Sequence, residues 1–260
     1  MPDTPSGRAV RLAELTYPEV ERLLAGSWTK IALLAVGSTE AHGPHLPLAT
    51  DSLIGEAVVE RAAAELAAAG HLAAVLPPIH YAVTEWAAGF AGSTSIPAEV
   101  AVGLVLGTCR AVRAMGFDRV VVFTAHLEPD HIASLREVTR RFQAETGEPL
   151  VFVDTTRRAL AARLTPEYQS GSCHAGQYET SLVLAIRPDL VRMDLAASLP
   201  ENTVPLADHI RAGKRGFLAC GMPQAYCGAP AAATAEEGRA ILATLATLVV
   251  EATLASVTRQ

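Results

Sequence analysis

Four short apolar runs are separated by stretches of helix length, and this alternation restricts the fold more than any other feature of the chain. Residues 31–36, 72–76, 119–123 and 150–154 are rich in Val, Ile, Leu and Ala, as strands buried on both faces of a parallel sheet must be. Between them, residues 51–69, 97–115 and 129–146 read as helices, two of them opening on Pro, which suits the first helical turn. Further helices are expected at 177–186 and 234–256. Strand and helix in alternation imply an α/β fold with a mostly parallel sheet flanked by helices. With 260 residues, half of them apolar, one core suffices. A single domain is therefore expected across residues 11–258, behind a flexible tail at 1–10, with no internal repeat.

Polar side chains of one chemical kind gather where two of these runs end. After the first come Glu40-Ala41-His42-Gly43-Pro44-His45-Leu46-Pro47 and then Asp51; after the third comes His126-Leu127-Glu128. The strand ends of an open α/β sheet are where ligands bind. Carboxylate and imidazole together suit Zn²⁺, Mn²⁺ or Fe²⁺. The five side chains Glu40, His42, Asp51, His126 and Glu128 are enough for two divalent ions sharing one carboxylate. Each also has a plainer reading. Glu40 could be a solvated loop acid, His42 a turn residue, Asp51 a helix-start acid favoured by the helix dipole, His126 a hydrogen-bonded imidazole at a strand end, and Glu128 a first-turn acid before Pro129.

Together with His174-Ala175-Gly176-Gln177-Tyr178-Glu179-Thr180-Ser181, these motifs resemble, in order and spacing, those of the creatininase (creatinine amidohydrolase) family. The resemblance spans roughly residues 30–245. It implies a creatininase-like domain in which Glu40 and His126 hold one metal, His42 and Glu128 the other, and Asp51 bridges both. His174 would give a proton to the leaving nitrogen. Glu179, read as one helical turn beyond His174, would orient the site or touch substrate. The implied reaction is hydrolysis of a carbon–nitrogen amide bond, first in a small cyclic or linear non-peptide amide. The family's formamide deformylase and precursor-peptide peptidase are the alternatives, and a noncatalytic metal-binding scaffold is the alternative of another class. A homo-oligomer, a hexamer in the family, is also implied.

Three features depart from the family pattern. Thr124-Ala125-His126-Leu127-Glu128 stands where many relatives have Asn-Gly-His-Gly-Gly-Asn, Trp86 stands where a His is usual, and the segment before His174 lacks the Trp of true creatininases. They bear on substrate rather than on reaction. Trp86 could stack on a flat ring or simply pack its loop.

Charge and cysteine use narrow the function classes. A net charge of −6 without any Lys/Arg run argues against nucleic acid and anionic membranes as partners. Four scattered Cys without a Cys-x-x-Cys pair read as reduced thiols of a cytoplasmic protein, and no membrane span is expected. Cys173 could be read as a nucleophile, but a thiol would be redundant beside metal-activated water. His45 is expected to be a structural hydrogen-bonding partner and His131 to point elsewhere. The irregular stretch 187–230 would cover the site or lie in a subunit contact.

Overall fold

The computed structural model describes residues 9–258. Five strands, β1 (Val10–Arg11), β2 (Lys30–Ala35), β3 (Leu72–Val75), β4 (Arg119–Phe123) and β5 (Val151–Val153), form one sheet in the order β1-β3-β2-β4-β5. Every pairing is parallel. The first four helices are α1 (Tyr17–Leu24), α2 (Thr50–Ala68), α3 (Ala98–Met115) and α4 (Pro129–Thr146). Short α5 (Arg158–Ala161) and α6 (Pro166–Ser170) precede α7 (Gln177–Ile186), and α8 (Met193–Ala196) and α9 (Leu206–Arg211) precede α10 (Ala235–Val257).

The two-residue period of a strand divides the core. Ile31, Leu33 and Ala35 of β2 with Val121 and Phe123 of β4 face α2, α7 and α10, whereas Ala32, Leu34, Val120 and Val122 face α3 and α4. Helices on both faces leave the strand ends as the open edge of the sandwich. From β2 the chain runs through α2 to β3 on one side, while from β4 it runs through α4 to β5 on the other. Connections that part in this way open a crevice between the C-terminal ends of β2 and β4. Both ligand-rich loops emerge there.

Sequence expectation and structure differ at the N-terminus. Residues 1–8 of the expected tail lie outside the described residues. Val10 and Arg11, by contrast, are paired with Ala74 and Val75 in the sheet. Helix α1 was not expected, although Thr16 and Glu19 form a capping box and Pro18 lies in its first turn. Helix α10, expected over 234–256 and found over Ala235–Val257, is long and apolar enough by composition to cross a membrane. Its Ile241, Leu245, Leu248 and Val249 are buried in the core, and Leu242, Val250 and Leu254 pack partly buried against it.

Candidate metal centre

Beyond β2 the chain is tied down before it turns back. Val36 N–H donates to Phe123 O at 2.9 Å and Gly37 N–H to Ile79 O at 2.8 Å. The loop returns through Glu40 N–H, which donates to Leu48 O at 3.0 Å, and Thr50 opens α2. This fold-back sets Asp51, in the first turn of α2, beside Glu40 and His42. Ser38 Oγ then donates to Asp51 Oδ2 at 2.7 Å and fixes its plane.

Asp51 faces both imidazoles. Its Oδ1 lies 3.4 Å from His42 Nε2 and its Oδ2 lies 3.1 Å from His126 Nδ1. On the His126 side stands Glu40, with Oε1 at 3.0 Å from Nδ1; on the His42 side stands Glu179, with Oε2 at 3.6 Å from Nε2. All five side chains are buried. The remaining ring nitrogens are committed to backbone carbonyls. His126 Nε2 donates to Val83 O at 2.8 Å and His42 Nδ1 to Glu40 O at 3.2 Å. Because a carbonyl only accepts, those nitrogens carry the protons, and His126 Nδ1 and His42 Nε2 turn lone pairs toward carboxylates.

A lone pair facing carboxylates in a dry site is repulsive unless a cation lies between them. Glu40 Oε2 and His42 Nε2 are moreover buried without a hydrogen-bond partner. Both observations fit a donor set built for divalent metal. Without metal, protons must do the work. Burial disfavours charge on His42, yet Asp51, Glu179 and Glu40 push its pKa up to about 10. Burial likewise opposes a charged His126, and Glu40 and Asp51 raise it well above the ordinary histidine range. Asp51, despite its burial, is held well below the usual carboxylate range by His42 and His126.

The structure divides the ligands differently from the expectation. Glu128 does not share a site with His42. It lies on the side of Glu40 and His126, and its oxygens accept from Glu85 N–H at 3.0 Å and Trp86 N–H at 3.1 Å. Its nearest imidazole atom is His126 Nε2 at 4.0 Å, not the Nδ1 that faces Glu40 and Asp51. Burial pushes its pKa up to about 7 against the opposing pull of His126. The position beside His42 and Asp51 belongs to Glu179. Nor is Glu179 one helical turn from His174: His174 lies in the turn before α7, while Glu179 is in the first turn of the helix and accepts from Ala175 N–H at 2.7 Å. Burial raises its pKa, with His42 opposing.

His174 stands between His42 and Phe217, with ring centroids 4.4 Å and 4.2 Å away. Its Nε2 donates to Ala41 O at 3.0 Å, which leaves Nδ1 as the nitrogen able to exchange a proton. Burial and the neighbouring His42 push its pKa down to about 4, so the ring is neutral near pH 7. Other residues also find their places. His45 is buried and bonds Thr180 Oγ1 at 2.9 Å. His131, expected to point elsewhere, instead packs behind His126 at 4.9 Å and meets Thr124 Oγ1 at 3.0 Å. The Cys173 thiol is pushed far up by burial, and a neutral thiol is a poor nucleophile.

A cavity of ≈ 510 Å³ opens over this cluster, with Glu40, Asp51, His126, Glu128, His174 and Glu179 among the residues lining it. Trp86 is buried in its wall, edge-on to Phe217. The stretch 187–230 supplies Leu206, Ile210, Arg211 and Phe217 to that wall, so it does cover the site.

Three overlapping groups of buried carboxylate and imidazole that could hold a metal ion gather at the switch point of a parallel sheet, an arrangement that suits a metal-dependent α/β hydrolase. It belongs to the creatininase family: the family profile, described as creatinine amidohydrolase, matches residues 13–253. The chain is thus a hydrolase of that family. A mycofactocin precursor peptide peptidase of Mycobacterium ulcerans (strain Agy99) is 35% identical over 224 residues, covering 85% of this chain and 82% of that protein. Creatinine amidohydrolase of Pseudomonas putida is 31% identical over 219 residues, covering 77% and 81%. A crystal structure of creatinine amidohydrolase superposes with a TM-score of 0.73 at 25% identity, covering 94% of this chain and 96% of the other. Creatininase has been solved in a manganese form and, as a variant, in a zinc–zinc form.

Proposed function

We propose that the chain is a dinuclear metal-dependent amidohydrolase that cleaves a peptide bond of a short peptide. The observation that carries the reading is the placement of Asp51 between two imidazoles, each with its own second carboxylate: Glu40 beside His126 and Glu179 beside His42. A pair of Zn²⁺ or Mn²⁺ ions held there would activate water and polarise an amide carbonyl. The remaining work falls to the protein. His174 Nδ1, beside the cluster and open to the cavity, takes the proton from the attacking water and hands it to the leaving nitrogen, whose expulsion from an amide requires protonation. The Glu85 and Trp86 N–H groups hold Glu128 at the cavity wall, where its carboxyl can meet the substrate. Trp86 and Phe217 keep bulk water from the His174 side.

Two observations favour a peptide over the small non-peptide amide expected from the sequence. The relatives at 31% to 35% identity include peptide peptidases, and the ≈ 510 Å³ cavity is lined, besides the ligands, by the apolar Leu127, Ile132, Leu206 and Ile210 and by Arg136 and Arg211. A lining of both kinds suits the side chains and backbone of a short peptide. The likeness to creatinine amidohydrolase keeps a small cyclic amide as the second reading. The unpaired, buried state of all four Cys agrees with a reducing, cytoplasmic setting. The exposed Val100 and Leu104, one turn apart on α3, would suit a homo-oligomer contact, testable by sedimentation.

The decisive assay incubates Zn²⁺- or Mn²⁺-loaded protein with short peptides, formamides and lactams and follows products by mass spectrometry. Addition of water across a peptide bond is expected. Turnover of lactams or formamides with every peptide intact would reassign the substrate, and two bound metals with no turnover of any compound would favour the scaffold.

A further inference from the structure

Helix α7 carries Glu179 but cannot cap itself. The residue before it is Gly176, which has no side chain to offer, and Glu179 reaches back to Ala175 N–H rather than to the helix start. The first N–H groups of a helix need acceptors from somewhere. They find them in another element: Glu167 of α6 accepts from Gln177 N–H at 3.0 Å through Oε2 and from Tyr178 N–H at 2.8 Å through Oε1. Its Oε2 also accepts from Ala229 N–H at 2.9 Å.

The backbone is shaped to admit this carboxylate. A Cβ at Gly176 would lie 2.5 Å from Glu167 Oε1, and one at Gly228 would lie 2.5 Å from Oε2. Two glycines on separate segments therefore leave room for one side chain. The segments it joins are the ones that present the site. Cys227 N–H donates to His174 O at 2.8 Å, so fixing Ala229 steadies the backbone of His174, while fixing Gln177 and Tyr178 sets the turn that aims Glu179. Between them Ala175 sits at φ +50°, a conformation a non-glycine residue keeps only when its surroundings hold it. Glu167 itself does not line the cavity. A nearby charged side chain is Glu237, also an acid, and the hydrogen-bond partners of Glu167 are backbone donors at the positive end of α7 and at Ala229.

We propose that Glu167 is a positioning residue of the site, its carboxylate pinning the start of α7 and the segment at Ala229 so that Glu179 and His174 are held together at the His42 side of the cluster. The inference rests on the reading of Glu179 as a metal ligand. It predicts an asymmetric defect, since Glu40 and His126 are held by the loops after β2 and β4.

The test titrates Zn²⁺ into the metal-free full-length protein and compares wild type with Glu167→Gln, whose folding is checked by circular dichroism and melting. Wild type should take up two equivalents. Glu167→Gln, which turns an amide NH₂ against backbone N–H groups, should bind one normally and the second about tenfold or more weakly, as loss of a charged acceptor implies. In turnover assays kcat should fall while KM holds. A second pair of variants removes a donor instead. Gln177→Pro deletes one N–H at a position where proline is tolerated, and Gln177→Ala keeps that N–H while losing the side-chain bond to Glu237. Selective weakening in the proline variant but not the alanine variant supports the proposal. Two unchanged or equally weakened sites in Glu167→Gln, or equal behaviour of the two Gln177 variants, would overturn it. Wild-type protein that binds fewer than two ions would instead remove the metal reading on which it stands.

Discussion

Exchanging Glu for Gln at position 179 and at position 128 should have opposite consequences for metal, because the two carboxylates stand in different relations to the imidazoles. Glu179 Oε2 is 3.6 Å from His42 Nε2, with a lone pair and a second carboxylate oxygen completing that side. Gln keeps the shape but removes a unit charge from beside a divalent cation. At an effective dielectric constant of about 20 and a separation of about 4 Å, a unit charge against a divalent cation is worth about 8 kcal/mol, so even with about half of it offset by solvent and the other ligands the loss should reach roughly a thousandfold in Kd. Glu128 accepts from two backbone N–H groups and faces the already protonated Nε2 of His126. Its amide should cost stability, about 1–3 kcal/mol for a buried donor left unsatisfied, and leave both metal affinities within about tenfold. Calorimetric titration of Zn²⁺ into each apo variant, with thermal melts alongside, separates the two. If Glu128→Gln loses an ion and Glu179→Gln keeps both, the assignment drawn from these distances is wrong.

Asp51→Ala should release both ions, since each side of the cluster loses the carboxylate they share, and metal analysis of the purified variant would show it; retention of two equivalents would refute the bridge. His174→Ala should keep its metal and lose about 10²- to 10⁴-fold in kcat, with a smaller loss on p-nitrophenyl ester substrates, whose phenolate departs without protonation, and equal losses on both would exclude His174 as the proton carrier. The metal-free protein should take an alkaline penalty. With its folded pKa raised to about 10, above the ordinary value of about 6.5, His42 contributes stability that is full below that ordinary value and lost as pH rises through about 10. The apo melting temperature should therefore fall between pH 7 and 11, and metal uptake at pH 7 should release protons; a flat apo profile without proton release would contradict the buried imidazolium.

Much of the architecture was legible because it rests on local signals. Helix α4 was expected to the residue, with Pro129 at its start and Gly147 in a left-handed conformation at its end, and β4 was equally plain from its uninterrupted apolar run. Strand β1 was not, since Val10–Arg11 is too short to show a period and exists only through its pairing with β3. Helix α1 carried a readable cue in Thr16, Pro18 and Glu19. Helix α10 was read within one residue at each end, although its composition alone does not say whether the surrounding phase is lipid or protein core.

The site shows the same division more sharply. Residue chemistry by itself determined which side chains are candidates, because few residue types bind divalent metal and the motifs set Glu40, His42, Asp51, His126, Glu128, His174 and Glu179 close to strand ends or to a helix start. Which of them face one another was decided only by tertiary structure. The Glu85–Trp86 backbone draws Glu128 toward itself, and the unaided start of α7, held by Glu167, brings Glu179 to His42. Ligand partition depends on directions of side chains set by hydrogen bonds between separate elements, forty-two and forty-three residues apart at Glu128 and ten and eleven apart at the start of α7, and no local pattern in a sequence carries that information.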